Sequence, residues 1–214
     1  MVLSLASLYP ILDTAALERR NCSLLTAASA ILASGVCILQ IRHKRHWSRE
    51  IFREAESVAN LCRKQGSELI INDRADFALL FGAGLHVGQD DLPPEDARAL
   101  IGPARTLGFS THNADQLSAA ASQPVTYLAL GPIFSTTNKD QPDPEVGLAN
   151  LSAWRPLTDK PLVAIGGITR ANASQVLAAG ADSLAVIADL LPDPCTELSI
   201  RKRLDSWHQV LAAV

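Results

Sequence analysis

Two aspartates follow short apolar runs at positions that point to a metal ion. Asp73 comes two residues after the run Leu69–Ile71, and Asp91 comes four residues after the run Leu85–Val87. A few hard oxygen ligands suit Mg²⁺, which keeps several waters and completes its shell with substrate phosphate. We therefore predict one Mg²⁺ per site, held by Asp73 and Asp91. The alternative is a turn or a helix N-cap for Asp73, and a helix N-cap for Asp91.

Three basic residues have the charge needed to surround a phosphate bound by such a metal. Arg42 and Lys44 follow the apolar run Cys37–Ile41, and Lys139 lies in a later segment rich in polar residues. Because Arg42 and Lys44 alternate at the end of a predicted strand, both side chains are expected to point the same way. Cations from separate loops, together with a metal, match the charge of a diphosphate. The alternative is that they are solvated loop charges.

A second anion site is indicated by glycines further along the chain. Gly166 and Gly167 directly follow the run Leu162–Ile165, and another turn follows Val186. Backbone N–H groups at helix starts after the seventh and eighth strands of a barrel bind a phosphate in many enzymes. A tight turn before a helix is the alternative for the glycine pair. The predicted site thus holds a metal-bound diphosphate and a separate monophosphate.

These residues need a scaffold that brings strand ends together, and the chain alternates between two kinds of segment. Near-continuous apolar runs, typical of strands buried on both faces, are followed by segments with helical periodicity. The predicted strands are Leu8–Leu12, Cys37–Ile41, Leu69–Ile71, Leu85–Val87, Thr106–Phe109, Tyr127–Leu130, Leu162–Ile165 and Leu184–Ile187. Eight such pairs with no break in composition predict one α/β domain, a (β/α)₈ TIM barrel over residues 1–214. A doubly wound open sheet is the alternative.

The clearest predicted helix carries its own start and stop signals. Ser48 is a good N-cap for it, and Gly66 is a good C-terminal stop. Residues 172–179 and 197–211 show similar helical patterns. Residues 135–146, rich in Pro, Asp, Asn and Thr, predict a long loop after the sixth strand.

Composition excludes several classes of protein. Hydrophobic residues make up 48% of the 214-residue chain and charged residues 19%, which favours a large core over disorder. The net charge of −3 argues against a nucleic-acid partner, and the apolar runs are too short to span a membrane. The first residues lack a signal-peptide pattern, and four isolated cysteines are expected to be reduced, so we expect a cytoplasmic protein. The sequence leaves the oligomeric state open, with a homodimer as one candidate.

Six motifs follow one another in a characteristic order. They are Gln40-x-Arg42-x-Lys44, Asn72-Asp73-Arg74, His86-Val87-Gly88-Gln89-Asp90-Asp91, Gly131-Pro132-Ile133-Phe134, Lys139 and Ala164-Ile165-Gly166-Gly167-Ile168. With them the chain resembles the thiamine phosphate synthase family from Leu8 to about Leu190. The resemblance implies a transferase that joins a hydroxymethylpyrimidine diphosphate to a hydroxyethylthiazole phosphate, or to its carboxylated precursor. Diphosphate is released, with CO₂ when the precursor is carboxylated.

The resemblance also implies a role for each site residue. Its pyrimidine diphosphate ligands are Gln40, Arg42, Lys44, Asn72, Ser110 and Lys139, with Ile41, His43 and His86 as further substrate contacts. Catalytic roles fall on Arg42, Lys44, Asn72, Ser110 and Lys139, and Asp73 and Asp91 hold Mg²⁺. Its thiazole phosphate ligands are Thr136, Thr137, Asn138, Gly167, Ile187 and Ala188. For His86, a satisfied core histidine is the alternative; Asn138 and Ala188 depart from the residues usual in the family.

The implied mechanism needs no protein nucleophile. Diphosphate leaves the pyrimidine methylene, the ring amino group stabilises the cation, and the thiazole nitrogen attacks it. The protein stabilises leaving-group charge and excludes water. One alternative is a thiazole tautomerase of the same superfamily, with His112 as an acid/base group. Another is a non-catalytic barrel that binds thiamine phosphates. The intact pair of Asp73 and Asp91 favours the synthase over both.

Overall fold

The eight predicted apolar runs form one closed parallel barrel. A computed structural model describes residues 6–135 and 143–213. The strands are β1 (Leu8–Asp13), β2 (Ile38–Arg42), β3 (Glu68–Asn72), β4 (Gly84–Val87), β5 (Leu107–Thr111), β6 (Tyr127–Leu130), β7 (Leu162–Ile165) and β8 (Ser183–Val186). Each strand pairs in parallel with the next, and β1 pairs with β8 through Leu8 opposite Leu184. This last pairing confirms the TIM barrel and rules out the open-sheet alternative.

Helices cover the outside of the barrel. Those of the described residues are α1 (Thr14–Glu18), α2 (Leu24–Leu32), α3 (Arg49–Gln65), α4 (Ala75–Phe81), α5 (Pro94–Ile101), α6 (Ala114–Ala120), α7 (Gly147–Trp154), α8 (Ala173–Ala178) and α9 (Glu197–Ala212). Two 3₁₀ turns lie at Arg155–Leu157 and Ala188–Leu190. Within this part of the chain, no helix is long and apolar enough to cross a membrane.

Helix α3 forms where its sequence signals place it. The Ser48 side chain accepts a hydrogen bond from the Ile51 N–H, and Gly66 closes the helix in the left-handed conformation with φ of 70°. Only glycine adopts that conformation without strain from a Cβ atom. Ala55 and Val58 on its apolar stripe are buried. The prediction for this helix is confirmed at both ends.

Strand residues alternate between two buried layers. One layer fills the barrel interior and consists of Tyr9, Ile11, Ile38, Ile70, Tyr127, Ala129, Val163 and Ala185. The other lies between the barrel and the helices and includes Leu39 and Ile41 from β2. Because side chains alternate along a strand, Gln40 and Arg42 share the inward face of β2 with Ile38. The inward positions at the carboxyl ends of the strands therefore form the mouth in which a site can be built.

Candidate active site

Asp73 lies in the turn between β3 and α4 and faces a lysine. Its backbone is left-handed, with φ of 64°, which is uncommon for a residue other than glycine. The Asp73 N–H donates to the His86 carbonyl at 2.8 Å, and the carboxylate accepts a hydrogen bond from Lys44 Nζ. Helix α4 begins after Arg74 without a side-chain cap. The N-cap alternative for Asp73 is therefore wrong, and the carboxylate is available to the barrel mouth.

Asp91 lies in the loop after β4 and is held by the backbone of that loop. Its Oδ2 accepts a hydrogen bond from the Gly88 N–H at 2.8 Å. Helix α5 begins at Pro94 behind Pro93, with no side-chain cap. The N-cap alternative is thus wrong for Asp91 as well, and the loop fixes one of its two oxygens.

The two carboxyl groups are close enough to change each other's protonation. Burial raises the pKa of Asp73 to about 6, and the neighbouring Asp91 adds to the rise while Lys44 opposes it. Burial also acts on Asp91, but hydrogen bonds from Asp73 and Gly88 and the charge of Lys44 outweigh it and lower the Asp91 pKa. Two carboxyl groups held together in this way are disfavoured as a doubly charged pair unless a cation lies beside them.

The chemistry of this donor pair fits the predicted Mg²⁺. Asp73 and Asp91 offer carboxylate oxygens from the ends of adjacent strands, on one side of the barrel mouth. Residues 6–135 and 143–213 hold no group of three or more His, Cys, Asp or Glu side chains that could bind a metal. A two-carboxylate site leaves the remaining coordination to water and phosphate oxygens, which is the arrangement that Mg²⁺ prefers with phosphorylated ligands.

Arg42 is anchored by an acidic residue that is not among the predicted site residues. Asp13, the last residue of β1, is opposite Arg42 in the barrel and accepts a hydrogen bond from its guanidinium. The Asp13 side chain also caps α1 by accepting from the Ala16 N–H at 2.9 Å. Asp13 is only 4% exposed, whereas the Arg42 side chain is 19% exposed, so the ion pair is part-buried. The guanidinium is therefore held at the inner edge of the barrel mouth.

A chain of hydrogen bonds crosses the barrel interior from β2 to β5. Gln40 Nε2 donates to the Tyr9 hydroxyl at 2.9 Å, and the hydroxyls of Tyr9 and Tyr127 are 2.8 Å apart. The His86 ring then links the Tyr127 hydroxyl to the Ser110 hydroxyl, with 2.9 Å on each side. Gln40, His86 and Ser110 are all predicted site residues, and the two tyrosines connect them.

Asn72 brings an unused hydrogen-bond donor to the same mouth. It is the last residue of β3, lies on the inward face with Ile70, and is only 6% exposed. Its Nδ2 is buried and has no hydrogen-bond partner among the described residues. An unpaired buried donor is costly, so a site that a ligand completes is the natural reason for one.

Two residues of segment 40–44 face away from the mouth. The Ile41 side chain is fully buried in the outer layer between barrel and helices. His43 Nδ1 is 2.7 Å from the Thr14 hydroxyl, and its Nε2 is 3.1 Å from the His46 carbonyl. Strand alternation turns the Ile41 side chain outward, so a substrate contact of Ile41, which stays a prediction, would have to come from its backbone. For His43, both ring nitrogens already have protein partners.

The glycine pair after β7 is required by a close approach of two loops. Gly167 has φ of 64°, and a Cβ atom there would come within 2.6 Å of the Phe134 Cβ and 2.7 Å of the Ser135 carbonyl. The predicted phosphate ligands Ile187 and Ala188 form the start of a 3₁₀ turn after β8. The tight-turn alternative thus describes the backbone correctly, and the same turn brings Gly167 against Ser135 at the mouth.

His112, the acid/base candidate of the tautomerase alternative, follows β5. Its Nδ1 is 2.5 Å from the Gly131 carbonyl and 3.5 Å from Asp143 Oδ2. Because a carbonyl oxygen only accepts, Nδ1 carries the proton in this contact, and Nε2 of a neutral ring is left as an acceptor.

Comparison with known proteins decides the family. A family model described as thiamine monophosphate synthase matches residues 8–190. The chain belongs to the thiamine monophosphate synthase family. It is 48% identical over 212 residues to the thiamine-phosphate synthase of Koribacter versatilis, which covers 98% of this chain and 97% of the relative. The synthase of Roseiflexus castenholzii is 39% identical over 198 residues, 92% of this chain and 86% of its own.

A solved structure shares the fold of this chain. The thiamine phosphate pyrophosphorylase from Pyrococcus furiosus superposes with a TM-score of 0.81 at 27% sequence identity. The match covers 97% of this chain and 98% of the other. The whole barrel, including the strand ends that form the mouth, is therefore shared with this thiamine phosphate pyrophosphorylase.

Four of the predicted ligands cannot be compared with the structure. Thr136, Thr137, Asn138 and Lys139 lie outside the described residues. The described part of the chain reaches Ser135, which packs against Gly167. The predictions for these four residues stay as the family resemblance states them.

Three inward residues of the mouth and interior are not among the predicted site residues. Tyr9 and Asp13 lie two positions either side of Ile11 in β1, and Tyr127 begins β6. The available signal was the alternation in β1, which places Tyr9 and Asp13 on one face. The apolar character of the whole strand hid it, because strands of a parallel barrel are buried on both faces.

Proposed function

We propose that this chain is a thiamine-phosphate synthase of the type that its relatives' names describe. It would join 4-amino-2-methyl-5-(diphosphooxymethyl)pyrimidine to 4-methyl-5-(2-phosphooxyethyl)thiazole, or to the carboxylated precursor, and release diphosphate. The observation that carries this proposal is the pairing of Asp73 with Asp91 beside Lys44 at the ends of β3 and β4. A carboxylate pair with adjacent cations is the arrangement needed to bind a diphosphate through a divalent metal.

Charge on the leaving group is the main electrostatic problem of this reaction. When bound by Asp73 and Asp91, Mg²⁺ would neutralise part of the charge on the departing diphosphate. Arg42 adds a guanidinium that Asp13 holds in place before substrate arrives, so little reorganisation is needed when the bond breaks. Lys44 adds a more mobile charge, since its side chain is about half exposed at 48%.

The pyrimidine is expected to lie over the barrel interior. Asn72 offers its unpaired amide N–H there, and Gln40 and Ser110 stand at the two ends of the interior hydrogen-bond chain. These neutral groups can orient a pyrimidine without a covalent bond to the protein. The mechanism therefore needs positioning and charge stabilisation, and no nucleophilic side chain.

The thiazole phosphate is expected on the opposite side, near Gly167. This position is close to Ser135, which directly precedes Thr136 and its two polar neighbours in the sequence. A phosphate held there would be separate from the carboxylate pair, as a two-anion site requires.

A product assay tests the proposal. Purified protein, Mg²⁺ and both substrates should give thiamine phosphate and diphosphate in equal amounts. The thiazole phosphate offered alone should stay unchanged. Isomerisation of the thiazole without the pyrimidine would favour the tautomerase and a base role for His112, while binding of both substrates without product would favour the non-catalytic barrel.

A further inference from the structure

The interior hydrogen-bond chain has a direction that follows from its first donor. Gln40 Nε2 is an amide nitrogen and can only donate, so the Tyr9 oxygen accepts and the Tyr9 proton passes on to the Tyr127 oxygen. Tyr127 then donates to His86 Nδ1, which leaves the proton of a neutral imidazole on Nε2. That N–H donates to the Ser110 oxygen at 2.9 Å. The proton of the Ser110 hydroxyl is thereby left for another acceptor.

The hydrogen-bond chain lies inside the barrel and is not a chance alignment of surface groups. Tyr9 and Tyr127 are fully or almost fully buried, at 1% and 0% exposure. A Cβ atom on Gly108 of β5 would overlap both the Tyr127 ring and His86 Nδ1, so glycine there makes room for the chain. Burial also raises the pKa of both tyrosines, so both phenols stay protonated and can donate the hydrogen bonds of this chain.

We propose that Tyr127 is a positioning residue that directs the Ser110 hydroxyl as a donor into the barrel mouth, acting through His86. At the other end, the same polarity leaves Gln40 Oε1 as an acceptor. The mouth then offers an acceptor on β2 and a donor on β5, which suits a ligand with both an amino group and a ring nitrogen, such as an aminopyrimidine. This inference rests on the proposed function, because it names how the pyrimidine half of that site is oriented.

Tyr127→Phe tests the idea because it removes one hydroxyl and keeps the ring. Without that hydroxyl, His86 Nδ1 loses its hydrogen-bond donor, and the Ser110 hydroxyl can donate to His86 and no longer into the mouth. We expect kcat/KM for the pyrimidine diphosphate to fall about tenfold, the effect of one misdirected hydrogen bond. The KM for thiazole phosphate should stay unchanged, since the chain ends at pyrimidine-side residues.

Ser183→Ala is the matched control for the loss of a buried hydroxyl. Ser183 is fully buried at the start of β8 and donates to the Ala6 carbonyl at 2.6 Å, outside the interior chain. This variant should lose stability but keep kcat/KM within about twofold of wild type, because its hydrogen bond does not reach the mouth. Both variants are compared with wild type for Tm and for the kinetics of each substrate.

The decisive comparison uses the Ser110→Ala background. If Tyr127 acts through Ser110, adding Tyr127→Phe to Ser110→Ala should change kcat/KM by less than about twofold, although it costs about tenfold alone. Additive losses, or a Tyr127→Phe enzyme as active as Ser183→Ala, would overturn the inference. Should Tyr127→Phe not fold, His86→Gln removes the link between Tyr127 and Ser110 and carries the same comparison. A wild-type protein without synthase activity would instead refute the proposed function.

Discussion

A part-buried ion pair fixes Arg42, the arginine that we propose acts on the leaving group. Asp13 holds the Arg42 guanidinium with one oxygen and caps α1 with the other. An arginine paired in this way keeps part of its fork of N–H donors for a phosphate while its position is fixed. By contrast, the surface ion pair between Arg201 and Glu197 in α9 is about half exposed and does not fix a side chain at the barrel mouth.

We expect Asp13→Asn to destabilise the protein by about 2 kcal/mol, because Arg42, whose side chain is only 19% exposed, loses its charged partner. Asparagine can still cap α1 through its carbonyl oxygen, so the measured loss of stability reports on the ion pair and not on the cap. The measurement is the free energy of unfolding in urea. Glu197→Gln is the matched control and should cost less than about 0.5 kcal/mol, since its ion pair is exposed. Equal losses for the two variants would show that the Asp13 pair is not special.

At the scale of elements, the strands provide both the interior packing and the site. Strand β5 shows this most clearly, because Gly108 makes room for Tyr127 and His86 while Ser110 is at the mouth, two residues later on the same face. Packing inside the barrel and orientation of the site are therefore parts of one layer. A change in that layer is expected to affect stability and substrate binding together.

Gly108→Ala should destabilise the protein by about 1–3 kcal/mol, since the added methyl group overlaps the Tyr127 ring in a closed interior. The displaced ring should also break the contact with His86, and the KM for the pyrimidine diphosphate should rise. Urea unfolding and initial rates measure the two effects. Normal stability with a normal KM would mean that the interior around β5 has more room than the structure indicates.

The sequence predicted the strands well because near-continuous apolar runs have to be buried on both faces, as strands of a parallel barrel are. Tyr127–Leu130 and Leu162–Ile165 agree with the observed strands at both ends, and Ser48 and Gly66 bound α3 as expected. The sequence could not predict contacts between side chains that lie on different strands. Asp13 contacts Arg42 on the neighbouring strand β2, and Tyr9 contacts Tyr127 across the barrel interior, each at a separation in the chain that no local pattern encodes.

The outward turn of Ile41 has a related cause. The motif that includes it is a continuous segment in sequence, but strand alternation sends every second side chain to the outer layer. Gln40 and Arg42 stay inside, whereas Ile41 is fully buried under the helices. A family motif therefore identifies the strand end that carries a site, and the alternation identifies which of its side chains reach it.

At the scale of the whole molecule, the parallel order of β2, β3 and β4 brings four charged groups of the proposed diphosphate site to one mouth. Asp73 and Asp91 come from the ends of β3 and β4, while Arg42 comes from β2 next to them. Lys44 connects the two sides through its hydrogen bond to Asp73. The central claim is that this cluster, loaded with Mg²⁺, stabilises the departing diphosphate.

The most direct test is the rate of thiamine phosphate formation while Mg²⁺ is added back to chelator-treated protein. Wild type should be nearly inactive without the metal and recover on its addition. Asp73→Asn and Asp91→Asn, which keep the shape but remove a ligand charge, should stay at least ~10²-fold slower, the scale of losing one strong electrostatic contact in a closed site. Glu197→Gln, far along the chain in α9, should behave as wild type. Full activity in chelator-treated protein, or wild-type rates in both asparagine variants, would contradict the claim.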